Sequence, residues 1–233
     1  MTVGIRDRAT TESAPRQAPR RRRRPWGYGA VVALCALFLL ASLPAYVTLD
    51  PARALVTSFV ASFPAHYALL LLHIGAGTVA MVTGCVQLSA RIRRRAPRAH
   101  RIIGRAYAAA VVLGAPALAA LVVLRAIAGD APSTAVTVGF GLGTVLWAGV
   151  TVAGVRAARQ RRFADHRTWM TYSMAFTLSI IMSRVAFVIA MLVPGFDMRY
   201  VEENVGWFPW VATVLIARWL LMRRDRRPRV VPA

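Results

Sequence analysis

Along this chain, apolar stretches of roughly 20 residues alternate with short polar blocks, and each stretch can cross a hydrocarbon layer of about 30 Å as a helix. The pattern predicts about six spans, near 27–48, 66–90, 102–126, 135–155, 168–193 and 207–222. The first run, Trp26 to Val47, exceeds the roughly 7–15 apolar residues of a signal-peptide core and lacks a small-x-small cleavage site. It reads as a retained helix. Residues 1–25, rich in Arg, Pro, Thr and Ala, read as a disordered cytoplasmic tail, residues 26–223 as a single transmembrane helical domain, and residues 224–233 as a basic cytoplasmic tail. The expected fold class is all-α, a polytopic membrane helix bundle.

Charge sharpens that picture. The chain is 57% hydrophobic yet carries a formal net charge of +21. In a soluble protein that excess would suggest nucleic acid, but here all 30 basic residues are Arg, set in blocks between the spans. Positive residues are retained on the cytoplasmic side. Arg20 to Arg24, the loop from Arg91 to Arg101, the loop from Arg156 to Arg167 and the segment from Arg223 all fall on one side of a six-span chain. The opposite loops hold five acidic residues (Asp50, Asp130, Asp197, Glu202, Glu203) against Arg53 and Arg199. Both termini are therefore expected in the cytoplasm, with the lipid bilayer as partner and no nucleic acid. Cys35 and Cys85 fall inside apolar runs and read as small buried residues rather than a disulfide framework. Trp147, Trp169, Trp207, Trp210 and Trp219 read as interfacial anchors.

An ionisable group inside a span is costly unless partnered, so such residues mark candidate function. At 100° per residue, His166, Ser173, Thr177 and Arg184 of the fifth span fall within about 20° of one line. In the second span His66 and His73 share a face with Gly77 and Gly84, and His73 and Arg184 lie at similar depth in the outer half. His73, Arg184, Thr177 and His66 thus form a candidate outer-half ligand pocket. His100, Gly104, Tyr107 and Arg125 share a face of the third span. His100 and His166 each open a helix at the cytoplasmic boundary, so they share a depth and can turn toward one space. Gly114 and Pro116 are a candidate kink.

The motifs HIGAG (73–77), TGCVQLSARIR (83–93), HRIIGRAY (100–107) and DHRTWM (165–170), with Trp147 and Arg184, resemble a family of uncharacterised bacterial membrane proteins, the domain of unknown function 2306 family. The resemblance runs from about residue 66 to the C-terminus and implies a multi-pass protein of the bacterial plasma membrane, without an assigned reaction. A looser similarity is to the dihaem cytochromes b of the membrane ferric-reductase and ascorbate-dependent type. There the third and fifth of six helices pair histidines at one membrane face, which implies His100 and His166 as axial ligands of a haem b. The second such site is not matched, because the predicted fourth span has no His.

Haem ligation by His100 and His166 would account for their matched depth, for clearance at Gly104, and for Arg101, Arg105 and Arg167 near the propionates, with Tyr107 and Trp169 flanking the ring. The expected role is then a membrane electron carrier, an oxidoreductase component working with a quinone or another redox partner. The alternatives are a non-catalytic scaffold and a transporter-like protein binding a small ligand or anion at His73 and Arg184. A single metal centre using all four histidines is difficult to build, since His73 and His100 approach opposite faces. HExxH, GxSxG and phosphate-loop motifs are absent from the sequence.

Overall fold

A computed structural model describes residues 26–50, 64–129 and 133–225. The two expected tails lie outside the described residues, save Arg224 and Asp225. The described residues form helices α1 (Trp26–Ser42), α2 (Pro44–Val47), α3 (Pro64–Leu88), α4 (Ala90–Arg95), α5 (Pro97–Ile127), α6 (Thr134–Arg159), α7 (Phe163–Leu192), α8 (Arg199–Asn204) and α9 (Phe208–Asp225). Each predicted span has its helix, with breaks where the local chemistry demands them. The first run divides at Leu43, because Pro44 has no N–H to continue the ladder. The second ends at Leu88, after which the Ser89 hydroxyl accepts the Ile92 N–H at 3.5 Å and opens the arginine-rich α4.

Four segments are long and apolar enough to cross a membrane: Ala65–Leu88, Pro97–Ile127, Thr134–Arg159 and Phe163–Leu192. The apolar Gly27–Ser42 is shorter, and α9 carries Arg218, Arg223, Arg224 and Asp225 in its 18 residues. In the bundle α3 packs on α5, α5 on α6, α6 on α7, and α7 returns to α3. α5 and α7 therefore stand on a diagonal. α1 lies against α3 and α7, and α9 against α7. The outer surface is apolar, with Leu40, Ile127 and Leu192 each more than 70% exposed. In water such a band would be unfavourable, and in lipid it is the contact surface.

One tight turn sets the register of α7. Arg162 N–H donates to the Ala157 carbonyl at 2.9 Å and Arg161 N–H to Ala158 at 3.1 Å, with Arg161 at φ 60°. This is the double-bonded helix stop that usually uses glycine. It folds α7 directly back on α6, which brings His166 to Gly154 one turn before the end of α6.

Candidate functional site

The interior of the bundle carries polar groups at three depths, each about 10 Å from the next by the helical rise. At the cytoplasmic end predicted from the sequence, Gln87 at the end of α3 donates its amide to the His100 carbonyl at 2.6 Å. His166 Nδ1 lies 2.8 Å from the Gly154 carbonyl. A carbonyl can only accept, so this ring nitrogen carries the proton and in the neutral ring Nε2 keeps its lone pair. His100 brings a buried Nδ1 that has no hydrogen-bond partner among the described residues. His100 and His166 are each the fourth residue of their helix, on the two diagonal elements α5 and α7.

Seven residues further along both helices is a compact hydroxyl cluster. Tyr107 Oη lies 2.7 Å from Ser173 Oγ and 2.8 Å from Thr177 Oγ1. Thr151 Oγ1 lies 2.6 Å from Ser173 Oγ and 2.7 Å from the Trp147 carbonyl. Thr177 donates to the Ser173 carbonyl at 3.1 Å. Four hydroxyl protons thus serve five contacts. Each of the four hydroxyls has an acceptor, although Tyr107, Thr151 and Ser173 are 0–1% exposed. Trp147 stands beside the phenol with its ring buried. Its position inside the bundle corrects its reading as an interfacial anchor. At the third depth, His73 Nδ1 donates to the Gly114 carbonyl at 2.9 Å, in the turn that Pro116 opens by lacking an N–H for Val112.

The sequence-predicted residues divide accordingly. His100 and His166 stand at one level, each the fourth residue of its helix. Tyr107 lies one level deeper, committed to Ser173 and Thr177 rather than beside the histidines. Arg101, Arg105 and Arg167 are exposed at the histidine end of the bundle, and Trp169 packs on Tyr172. In the outer-half group, Thr177 belongs to the hydroxyl cluster, His73 is held by Gly114, His66 is 1% exposed, and Arg184 is exposed on α7. No hydrogen bond joins Arg184 to His73 among the described residues. Thr151 and Trp147 complete the middle cluster and were missed as members. Their four-residue spacing on the predicted fourth span was the available signal.

A family model described as "Predicted membrane protein (DUF2306)" matches residues 70–221. The chain belongs to this family. The match takes in all three interior levels, from His73 on α3 to Thr177 on α7, and leaves α1 and His66 outside it. No curated protein and no solved structure matches the chain. Membership in this membrane-protein family agrees with the apolar exterior and adds no chemistry to the interior.

As to ligands, no group of three or more His, Cys, Asp or Glu gathers among the described residues. Two imidazoles on diagonal helices, one with Nδ1 fixed by a carbonyl, are nevertheless the donor set that a six-coordinate haem iron takes. The space beside them is filled by flexible side chains. A Cβ at Gly104 would stand 3.0 Å from Gln87 Nε2, and one at Gly154 would stand 2.7 Å from Met170 Sδ. The donor types fit a haem iron, and the space a porphyrin would need holds the Gln87 and Met170 side chains. Two other cavities lie elsewhere: one of about 590 Å³ lined by Arg91, Arg94 and Arg95, and an apolar groove of about 370 Å³ between α7, α8 and the start of α9.

Proposed function

We propose that this protein crosses a bacterial plasma membrane six times with both termini in the cytoplasm, and that His100 and His166 hold a haem b in an electron carrier. The observation that carries this reading is a buried His100 Nδ1 without a hydrogen-bond partner among the described residues, at the same helical position on α5 as His166 on α7, whose Nδ1–H is already committed to Gly154. Bound haem would supply a one-electron iron couple. The chain's own residues provide its setting. His100 and His166 would hold the group, the Gly154 carbonyl orients one ring, and Gln87 holds the backbone that carries the other. Arg105 and Arg167, exposed at the same end, are placed to neutralise propionates. The Arg blocks support the orientation. The redox partner is then a quinone or a cytoplasmic electron carrier, and any catalysis is that of an oxidoreductase component.

Reduced-minus-oxidised visible spectra of detergent-purified protein test the haem. Sharp α and β bands are expected, lost in His100→Ala and His166→Ala. A protein that folds and inserts after expression with haem precursors yet shows no Soret band excludes the proposal. Reporter fusions test the topology: inside after Arg161, outside after Asp197. A second reading, the non-catalytic scaffold, draws support from Gln87, Met170 and Met174 filling the glycine faces. It predicts that both histidine variants leave all properties but stability unchanged. Anion binding at His73 and Arg184 would instead require the exposed Arg184 to swing toward the bundle.

A further inference from the structure

The short helix α4, Ala90–Arg95, carries four arginines in six residues. Arg91, Arg94 and Arg95 stand at i, i+3 and i+4, on one face of the helix, and together line a cavity of about 590 Å³. Like charges at these spacings repel, and a helix this short has little intrinsic stability to oppose that. The three side chains are exposed, and no carboxylate pairs with them among the described residues. The other arginine-rich connection differs. At the α6–α7 turn Arg162 holds Asp165 at 2.7 Å and the Gln160 side chain at 2.7 and 3.0 Å, so its charge is met within the chain. Orientation in a membrane needs only positive residues beside the spans, not three guanidiniums around one space.

Location narrows the anion. α4 joins two segments long and apolar enough to cross a membrane, Ala65–Leu88 and Pro97–Ile127, which puts it at a bilayer surface, at the depth of the lipid headgroups. Those segments present apolar side chains close to it in the chain, Leu88 at 42% exposed and Ile102 at 64%, along which acyl chains can run. Guanidinium forks bind phosphate oxygens through paired hydrogen bonds, and basic recesses beside membrane helices take lipid headgroups. One phosphodiester would leave two of the three charges unmatched, whereas two joined phosphodiesters leave one. We infer that Arg91, Arg94 and Arg95 form the headgroup site for a lipid with two phosphodiesters, the cardiolipin class. The site is independent of the histidine pair and needs only that α3 and α5 span the bilayer. Bound lipid replaces repulsion along α4 with attraction and so stabilises the connection between α3 and α5.

The test is native mass spectrometry of detergent-purified full-length protein titrated with cardiolipin, phosphatidylglycerol or phosphatidylcholine. One cardiolipin per chain is expected, bound in preference to the other two lipids. Arg91→Gln, Arg94→Gln and Arg95→Gln should each weaken it about five-fold, as expected for one basic residue at an anionic lipid surface, and the triple variant roughly a hundred-fold. Glutamine matches arginine in helix propensity, so these variants should fold, which thermal unfolding checks. Arg156→Gln, Arg159→Gln and Arg223→Gln together remove the same charge elsewhere and should leave cardiolipin binding close to the wild-type level. Lysine at all three α4 positions keeps the charge but loses the paired hydrogen bonds, and should recover only part of the affinity. Equal losses in the two triple glutamine variants would mean attraction to net charge alone and would overturn the site. So would equal binding of cardiolipin and phosphatidylglycerol, or binding of inorganic pyrophosphate as tight as that of cardiolipin, which would make the cavity a site for soluble anions.

Discussion

The histidine level and the hydroxyl level lie about 10 Å apart on the same two helices, and they differ in how their side chains are bonded: the four hydroxyls bond one another, whereas His166 and Gln87 bond backbone carbonyls. In the middle of the bundle each hydroxyl of Tyr107, Thr151, Ser173 and Thr177 has a partner within 3.1 Å. At the histidine level, His100 keeps a buried nitrogen without one among the described residues. Where water is scarce, a satisfied network rigidifies a fold, whereas an unsatisfied group is kept only where something else compensates. The hydroxyl cluster accordingly contributes to stability, and the histidine level carries the proposed ligand site.

Substitutions should separate the two levels. The largest effect is expected at the histidines, where His100→Ala or His166→Ala abolishes haem retention. Thermal denaturation in detergent should show a loss of no more than about 1 kcal/mol for His100→Ala, whose Nδ1 has no hydrogen bond among the described residues, and of roughly 1–2 kcal/mol for His166→Ala, which leaves the Gly154 carbonyl without its partner. Tyr107→Phe is the converse: it leaves Ser173 and Thr177 facing a ring edge and should lower stability by about 1–3 kcal/mol, with haem content at the wild-type level. Loss of haem in Tyr107→Phe at unchanged stability would reverse the assignment of levels. Thr151→Val keeps the shape, removes one hydroxyl and should cost about 1 kcal/mol, additive with His166→Ala if the levels are independent. The smallest effect is at the α6–α7 turn, where Arg161→Gly relieves a left-handed side-chain residue and should stabilise by a few tenths to about 1 kcal/mol.

The helices themselves were legible in the sequence because lipid requires length and apolarity from each one. Their ends were displaced by Pro44, Ser89 and the Arg161 turn, whose effects depend on backbone geometry that periodicity does not encode. The seven-residue spacing of His100 to Tyr107 and His166 to Ser173 placed these residues on inward faces, and the structure has them there. It did not tell which residues would be partners. The sequence-based reading grouped Tyr107 with the histidines and Thr177 with Arg184, whereas Tyr107 and Thr177 bond each other. That pairing depends on the α5–α7 diagonal, which emerges only when the helices pack. That Cys35 and Cys85 would lie in one core cluster was hidden for the same reason. Cys35 and Cys85 were legible singly as buried residues, but nothing local says that α1 lies on α3.

Electron paramagnetic resonance of the oxidised, detergent-purified protein tests the histidine level most directly. The account predicts a low-spin ferric signal of bis-imidazole type at one haem per chain in the wild type, absent from a His100→Ala, His166→Ala double variant that unfolds within about 2 kcal/mol of it. An identical signal in the double variant, or no haem iron in correctly folded wild type grown with haem precursors, contradicts it.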